Sequence, residues 1–120
     1  MADLHSLGKY GENLATSYLR ENGYRVIKRN WRTGKKEIDI IAEDDHHVIF
    51  IEVKTRTADF QLHPRDAVSV PKQRNLIFAA QTWLERSETD KEARFDIITV
   101  ITEGRKYEIE HTKDAFYPTL

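Results

Sequence analysis

The sequence contains no cysteine, one methionine and three prolines, and its formal net charge at pH 7 is only −1. Without cysteine there can be no disulfide, no thiolate nucleophile and no cysteine-ligated zinc. No stretch approaches the length of a membrane span, and residues 1–20 lack the apolar core of a signal peptide. The near-neutral charge argues against a basic coat for nucleic acid over the whole surface. These absences predict a cytoplasmic protein with no membrane partner.

A length of 120 residues predicts one domain, residues 1–120, built around a single core. The cations are unevenly distributed, because residues 25–36 carry six of them and no acid. A second basic group follows, interleaved with Asp59 and Asp66: Lys54, Arg56, Arg65, Lys72 and Arg74. Such clusters suit phosphate contacts, although a solvated charged face would have the same composition.

Hydrophobic periodicity predicts two helices and four or five strands. The helices are expected at residues 6–21 and from Pro71 onward, the second after a loop containing Pro64. Strands are expected at residues 24–30, 37–42 and 48–55, then at 95–102 as a strand buried on both faces, with an edge strand at 107–111. The predicted class is α/β, with an αβββαβ core, a mixed sheet, an antiparallel hairpin and a right-handed crossover through the second helix.

The hairpin of residues 37–55 carries charged residues among apolar ones. The two-residue period of a strand places Ile38 and Ile40 on one face and Asp39 on the other. A symmetric turn makes three cross-strand pairs: Ile41 with Phe50, Asp39 with Glu52, and Glu37 with Lys54. This register brings two acids and a lysine together on one face.

Two opposed carboxylates repel each other, and partial burial makes their ionisation still less favourable. A Mg²⁺ or Mn²⁺ ion held by Asp39, Glu52 and the carbonyl of Val53 would offset this repulsion. Lys54 would then face a metal-activated water or the phosphate that this water attacks, which is an arrangement for phosphodiester hydrolysis. The alternative is a solvated hairpin face on which these residues form only a salt-bridged ladder.

Glu12 lies in or beside the apolar stripe of the first helix, where an unpaired carboxylate is unfavourable. It could reach the metal through water, hold Lys54 or pair with Arg29. Gly8 and Gly11 in the same segment each weaken the helix by roughly 1 kcal/mol relative to alanine. Close helix packing and close approach of a phosphate explain these glycines equally well.

Four segments together resemble a known family: GKYGENLATSYLRENGYRVIKRNWR, EIDIIA, VIFIEVKTR and FDIITV. They resemble the YraN-type bacterial family, which is similar to archaeal Holliday-junction resolvases of the PD-(D/E)xK, or restriction endonuclease-like, nuclease superfamily. The resemblance implies a metal-dependent DNA endonuclease, with Asp39, Glu52 and Lys54 at the motif positions and Glu12 as the helical glutamate. Ile38 stands where the superfamily motif has proline.

The same resemblance implies branched or otherwise structured DNA as the substrate and a two-fold homodimer as the assembly. Trp31 and Phe60 are candidates for stacking on bases, or else for covering the core. The five histidines have no spacing that is typical of a metal site. The basic residues expected to contact nucleic acid are Lys28, Arg29, Arg32, Arg56 and Lys72.

Two other functions remain open from the sequence. One is a non-catalytic nucleic-acid-binding or recruitment module that keeps the nuclease fold, in which the basic residues matter and Lys54 does not. The other is a structural protein whose hairpin carries a charge ladder and neither binds metal nor gains stability from it.

Overall fold

The computed structural model describes residues 4–58 and 68–117, with no statement on the side chains of Leu4 and His5. Its elements in chain order are α1 (Leu4–Glu21), β1 (Arg25–Thr33), β2 (Lys36–Glu43), β3 (His47–Thr57), α2 (Val70–Ser87), β4 (Glu92–Glu103) and β5 (Lys106–Phe116). The predicted order is confirmed, and every strand is longer than its sequence pattern indicates. Five positions singled out from the sequence lie outside the described residues: Asp59, Phe60, Pro64, Arg65 and Asp66.

The five strands form one mixed sheet in the order β1-β2-β3-β4-β5. Every neighbouring pair is antiparallel except β3 and β4, which are parallel and are connected through α2. β4 lies between β3 and β5, which explains its nearly continuous apolar sequence. The class is therefore α/β, consistent with the expected restriction endonuclease-like core. No helix within residues 4–58 and 68–117 is both long and apolar enough to cross a membrane.

Each face of the sheet has its own hydrophobic cluster. α1 covers one face, where Ala15 and Leu19 pack against strand residues Ile40, Ile49, Ile51, Ile98 and Val100. α2 covers the opposite face, where Leu76, Ala79 and Ala80 pack against Ile38, Ile41, Phe50 and Phe95. The site described below lies where the two helices approach the same end of the central strands.

The predicted alternation of β2 is wrong at one position. Ile38 packs on the α2 face and Ile40 on the α1 face, although two-residue periodicity places them together. Asn30, between the β1 partners of Ile40 and Ile38, has a φ of +52°, a left-handed conformation that asparagine tolerates better than most residues. The alternation of side-chain faces is interrupted at the same level in β1 and β2, so Asp39 lies at a local irregularity of the sheet.

Two interpretations left open by the sequence are decided by packing. Trp31 meets Trp83 of α2 edge to face, with ring centroids 5.4 Å apart, so it covers the core. Gly11 lies directly against Thr55, whose Oγ1 would be 1.7 Å from a β-carbon added at residue 11. Gly11 therefore allows the close contact between α1 and β3.

Candidate metal and catalytic site

Asp39 lies where the backbone pairing of β2 with β3 ends. The predicted pair of Ile41 with Phe50 is confirmed, but the ladder stops at Ile40 and Ile51. The predicted register is therefore confirmed, but the ladder ends one pair before Asp39 and Glu52, which do not pair through their backbones. The Asp39 carboxylate instead accepts a hydrogen bond from the Val53 amide at 2.9 Å. A side chain thus takes the place of a backbone partner where the β2–β3 ladder ends.

Of the three acids Glu12, Asp39 and Glu52, Glu52 is the most buried, with 3% of its surface exposed. Its Oε1 forms an ion pair with Nζ of Lys72. Lys72 lies in the first turn of α2, which begins after Ser69, because the Ser69 hydroxyl accepts a hydrogen bond from the Lys72 amide. The capped start of α2 therefore places Lys72 in contact with the carboxylate of Glu52 on β3.

The acids of the site influence one another electrostatically. Burial, followed by the nearby Glu52 carboxylate, raises the pKa of Asp39 to about 8. Burial also raises the pKa of Glu12, although the Arg29 guanidinium opposes this effect. Without a divalent cation the site therefore retains a proton near neutral pH, as expected for crowded carboxylates.

Lys54 contributes an ammonium without a close counter-ion. Within residues 4–58 and 68–117, no carboxylate oxygen lies within 4 Å of its nitrogen, and the predicted pair with Glu37 is absent because Glu37 pairs with Arg32 at 3.5 Å. Burial, and then the neighbouring Lys72 charge, lower the pKa of Lys54. A partly desolvated ammonium of this kind is suited to an incoming anion.

These side chains surround a cavity of about 330 Å³. This central cavity is lined by Glu12, Asp39, Glu52, Lys54, Arg56 and Lys72, and by the backbone at Gly8 and Val53. All four acid and lysine positions predicted from the sequence therefore lie together, with two of the predicted phosphate-binding residues beside them. A salt-bridged surface ladder does not describe an arrangement that includes a glutamate as buried as Glu52.

Glu12 pairs with Arg29, which is one of the partners predicted for it. Its Oε1 lies 3.9 Å from Nη2 of Arg29, which also donates a hydrogen bond to Asn13 at 2.7 Å. The same oxygen is buried and has no hydrogen-bond partner among the described residues. An unsatisfied buried oxygen beside Asp39 is a position where a bound water or ion would be favourable.

The donor set fits a hard divalent cation. Asp39 and Glu52 offer carboxylate oxygens, and the carbonyl of Val53 points to the same side of β3 as its amide, toward Asp39. Within the described ranges, no group of three or more His, Asp and Glu side chains is arranged to hold a metal by itself. A cation here would therefore need the backbone carbonyl and water, as Mg²⁺ commonly does.

The remaining basic candidates divide into two groups. Arg29 and Arg32 line a second depression, the side groove, between α1 and β1. The side groove has a volume of about 730 Å³ and also includes Lys9, Asn13, Asn30 and Glu37. Lys28 is exposed on β1 and lines neither cavity. The sequence offered no signal for Lys9, Asn13 or Asn30, since α1 and β1 meet only in the folded chain.

A second polar cluster was not recognised from the sequence. Asp96 is fully buried on β4, and its carboxylate accepts hydrogen bonds from Arg94, from His111 at 2.7 Å and from the Asp114 amide. Burial alone would raise the pKa of Asp96, but the hydrogen bonds from His111 and Arg94 hold it below the usual range. An aspartate within the apolar run FDIITV was the available signal.

The raised pKa of Asp39 predicts a pH-dependent stability of the metal-free protein. The folded state keeps a proton that the unfolded chain releases above the ordinary value of 3.8, so stability should fall as pH rises from about 4 to about 8. Asp39→Asn removes this contribution. The melting temperature of Asp39→Asn minus that of the wild type, measured in chelator, should therefore increase across this interval. A difference independent of pH would contradict the assignment.

The fold and the site define an α/β protein whose central hairpin carries two carboxylates and a lysine in one cavity. The chain belongs to the uncharacterised protein family UPF0102, whose model matches residues 11–100. This confirms the YraN-type part of the resemblance. A UPF0102 protein of Bacteroides thetaiotaomicron is 44% identical over 120 residues, covering 100% of this chain and 99% of the relative.

Other comparisons extend this result. A Bacteroides fragilis UPF0102 protein is 46% identical over 121 residues, covering 100% of this chain and 99% of the relative. A relative from Chlorobium phaeobacteroides is 43% identical, with 96% of each chain covered. Among solved structures, SfsA of Pyrococcus furiosus in complex with Ca²⁺ has a TM-score of 0.40 and 22% identity, over 92% of this chain and 64% of that chain. That level of similarity carries no information on function.

Proposed function

We propose that this protein is a metal-dependent endonuclease that hydrolyses DNA phosphodiester bonds by attack of water. The observation that carries this proposal is the convergence of Asp39, Glu52 and Lys54 in one cavity, where β2 and β3 stop pairing. Asp39, Glu52 and the Val53 carbonyl would hold Mg²⁺ or Mn²⁺. When bound, such an ion acidifies water and neutralises charge on the phosphate.

The side chains of this cavity have distinct roles in the proposal. Lys54 points a partly desolvated ammonium at the attacked phosphate and stabilises the negative charge that develops in the transition state. Glu12, whose buried Oε1 has no hydrogen-bond partner among the described residues, orients the attacking water by accepting its hydrogen bond. Lys72 balances the charge of Glu52 until substrate and cation enter.

The substrate class follows from the cations around the cavity and from the family resemblance. Arg56 and Lys72 lie at the central cavity, and Arg29 and Arg32 lie in the adjoining side groove. Guanidinium groups bind phosphate oxygens in a bidentate manner, and contacts with phosphate carry no sequence information of their own. We therefore propose recognition of DNA by shape, with branched or otherwise structured DNA cut in a resolvase-like manner.

A cleavage assay tests the proposed function. Labelled branched, flapped, single-stranded and duplex DNAs are incubated with the protein in Mn²⁺, in Mg²⁺ and in chelator, beside the variants Glu52→Ala and Glu110→Ala. We expect metal-dependent cleavage of at least one DNA by the wild type. Glu52→Ala should abolish it, whereas Glu110→Ala, which removes an exposed glutamate of β5, should not.

The opposite results separate the alternatives. Equal cleavage by Glu52→Ala and wild type would show that the cavity is not the site of the reaction. DNA that is bound but never cut would favour the non-catalytic recruitment module, and the salt dependence of that binding would identify its phosphate contacts.

A further inference from the structure

The central cavity and the side groove adjoin each other. Gly8, Glu12 and Asp39 line both of them, so the two depressions meet at the first turns of α1. From this junction the side groove runs between α1 and the edge strand β1, past Lys9, Arg29 and Arg32. A linear anion with one phosphate in the central cavity would therefore find a second cationic position along this path.

Gly8 at the junction is not explained by packing against the described residues. A β-carbon added at residue 11 would collide with Thr55, but one added at residue 8 would meet no atom of a neighbouring element within 4 Å in residues 4–58 and 68–117. A glycine inside a helix costs about 0.5 to 1 kcal/mol relative to alanine. The described residues therefore leave the space at Gly8 open, at the place where the two cavities meet.

The charge of the side groove depends on the metal site. Three cations, Lys9, Arg29 and Arg32, face three acids there: Glu12, Glu37 and Asp39. Asp39 is one of the two carboxylates proposed to hold the metal, so a divalent cation bound there would add positive charge to the groove. The groove should accordingly attract an anion more strongly after the metal site is filled.

We propose that the side groove binds the phosphate next to the one in the central cavity, and that Gly8 provides the space through which the connecting strand passes. The inference rests on the proposed function and deepens it, since it assigns a path to the nucleic-acid backbone. The ligand is a run of at least two consecutive phosphodiesters of one strand. Free phosphate would occupy either position without needing the passage at Gly8.

The test compares short and long ligands with variants at the junction. Binding of a dinucleotide with one phosphodiester, of a single-stranded hexanucleotide and of inorganic phosphate is measured with Ca²⁺ present, by calorimetry, for the wild type, Gly8→Ala and Gly8→Leu. We expect the hexanucleotide to bind the wild type about tenfold more tightly than the dinucleotide, because it adds charge-assisted contacts. Gly8→Leu should lose this gain, and Gly8→Ala should lose part of it.

Three controls separate a blocked passage from a damaged protein. Gly8→Leu should keep the Mn²⁺ affinity of the wild type and melt at the same or a higher temperature, because leucine favours the helix and its β-carbon meets no described neighbour. Lys9→Ala should weaken hexanucleotide binding but not dinucleotide binding. Lys113→Ala, which removes an exposed lysine of β5, should change neither.

Three results would contradict the side-groove assignment or the proposed function. If Gly8→Leu binds the hexanucleotide as tightly as the wild type, the assignment of the side groove is overturned even when the wild type cuts DNA. If the dinucleotide and free phosphate also lose affinity in Gly8→Leu, the residue acts on the central cavity and the passage is again overturned. If the wild type binds neither oligonucleotide with metal present, the proposed function itself fails.

Discussion

Replacement of Lys54 by alanine should slow metal-dependent DNA cleavage by about a thousandfold, which is the upper end for removing one preorganised donor to a developing negative charge. The position of Lys54 in the same cavity as Asp39 and Glu52, without a close counter-ion among the described residues, is the physical reason. Its charge would be available to a DNA phosphate, because no carboxylate of residues 4–58 and 68–117 lies at contact distance. Single-turnover rates at saturating Mn²⁺ measure the effect.

Two measurements serve as controls for this prediction: the Mn²⁺ affinity of Lys54→Ala and the cleavage rate of Lys54→Arg. Mn²⁺ affinity should be unchanged or slightly tighter in Lys54→Ala, since a cation near the metal position is removed. Lys54→Arg should recover part of the rate, because it restores the positive charge with a different shape. Cleavage by Lys54→Ala at the rate of the wild type would remove Lys54 from the mechanism.

Replacement of Asp96 by alanine should destabilise the protein by about 3 to 5 kcal/mol, a large part of the stability of an ordinary domain. The loss is expected because Arg94 and His111 would stay buried without their shared acceptor. The network also connects β4 to α1, since the hydroxyl of Tyr18 lies 3.0 Å from Nδ1 of His111. The midpoint and slope of urea unfolding give the free energy of unfolding.

An exposed aspartate provides the matched comparison. Asp45→Ala in the β2–β3 turn removes a carboxylate that is 87% exposed and should change stability by less than about 0.5 kcal/mol. Asp96→Asn should fall between the two, because it keeps the shape of the side chain but loses the charge that accepts from Arg94. A small effect of Asp96→Ala would mean that the cluster relaxes into water.

The order of elements could be predicted because each one has a strong local pattern. The apolar run of β4 and the proline at the start of α2 required no knowledge of the rest of the chain. The face on which Ile38 packs could not be predicted in this way. It depends on the left-handed conformation of Asn30 in the adjacent strand, which is a property of the pair and not of β2 alone.

The site was predicted better in composition than in geometry. Asp39, Glu52 and Lys54 were identified because charged residues stand out in an apolar hairpin, and the structure brings them into one cavity. The hydrogen bond from Val53 to Asp39 replaced the expected cross-strand pair, and no periodicity argument can detect that exchange. Lys72 was identified as a phosphate contact, but its ion pair with Glu52 depends on how α2 crosses the sheet.

The proposed site and the buried Asp96 network lie mainly in different parts of the chain. Glu12, Asp39, Glu52 and Lys54 all precede the crossover through α2, whereas the buried network around Asp96 belongs mainly to the two strands that follow it. Mutations of the Asp96 network can therefore alter stability without changing the side chains that line the central cavity.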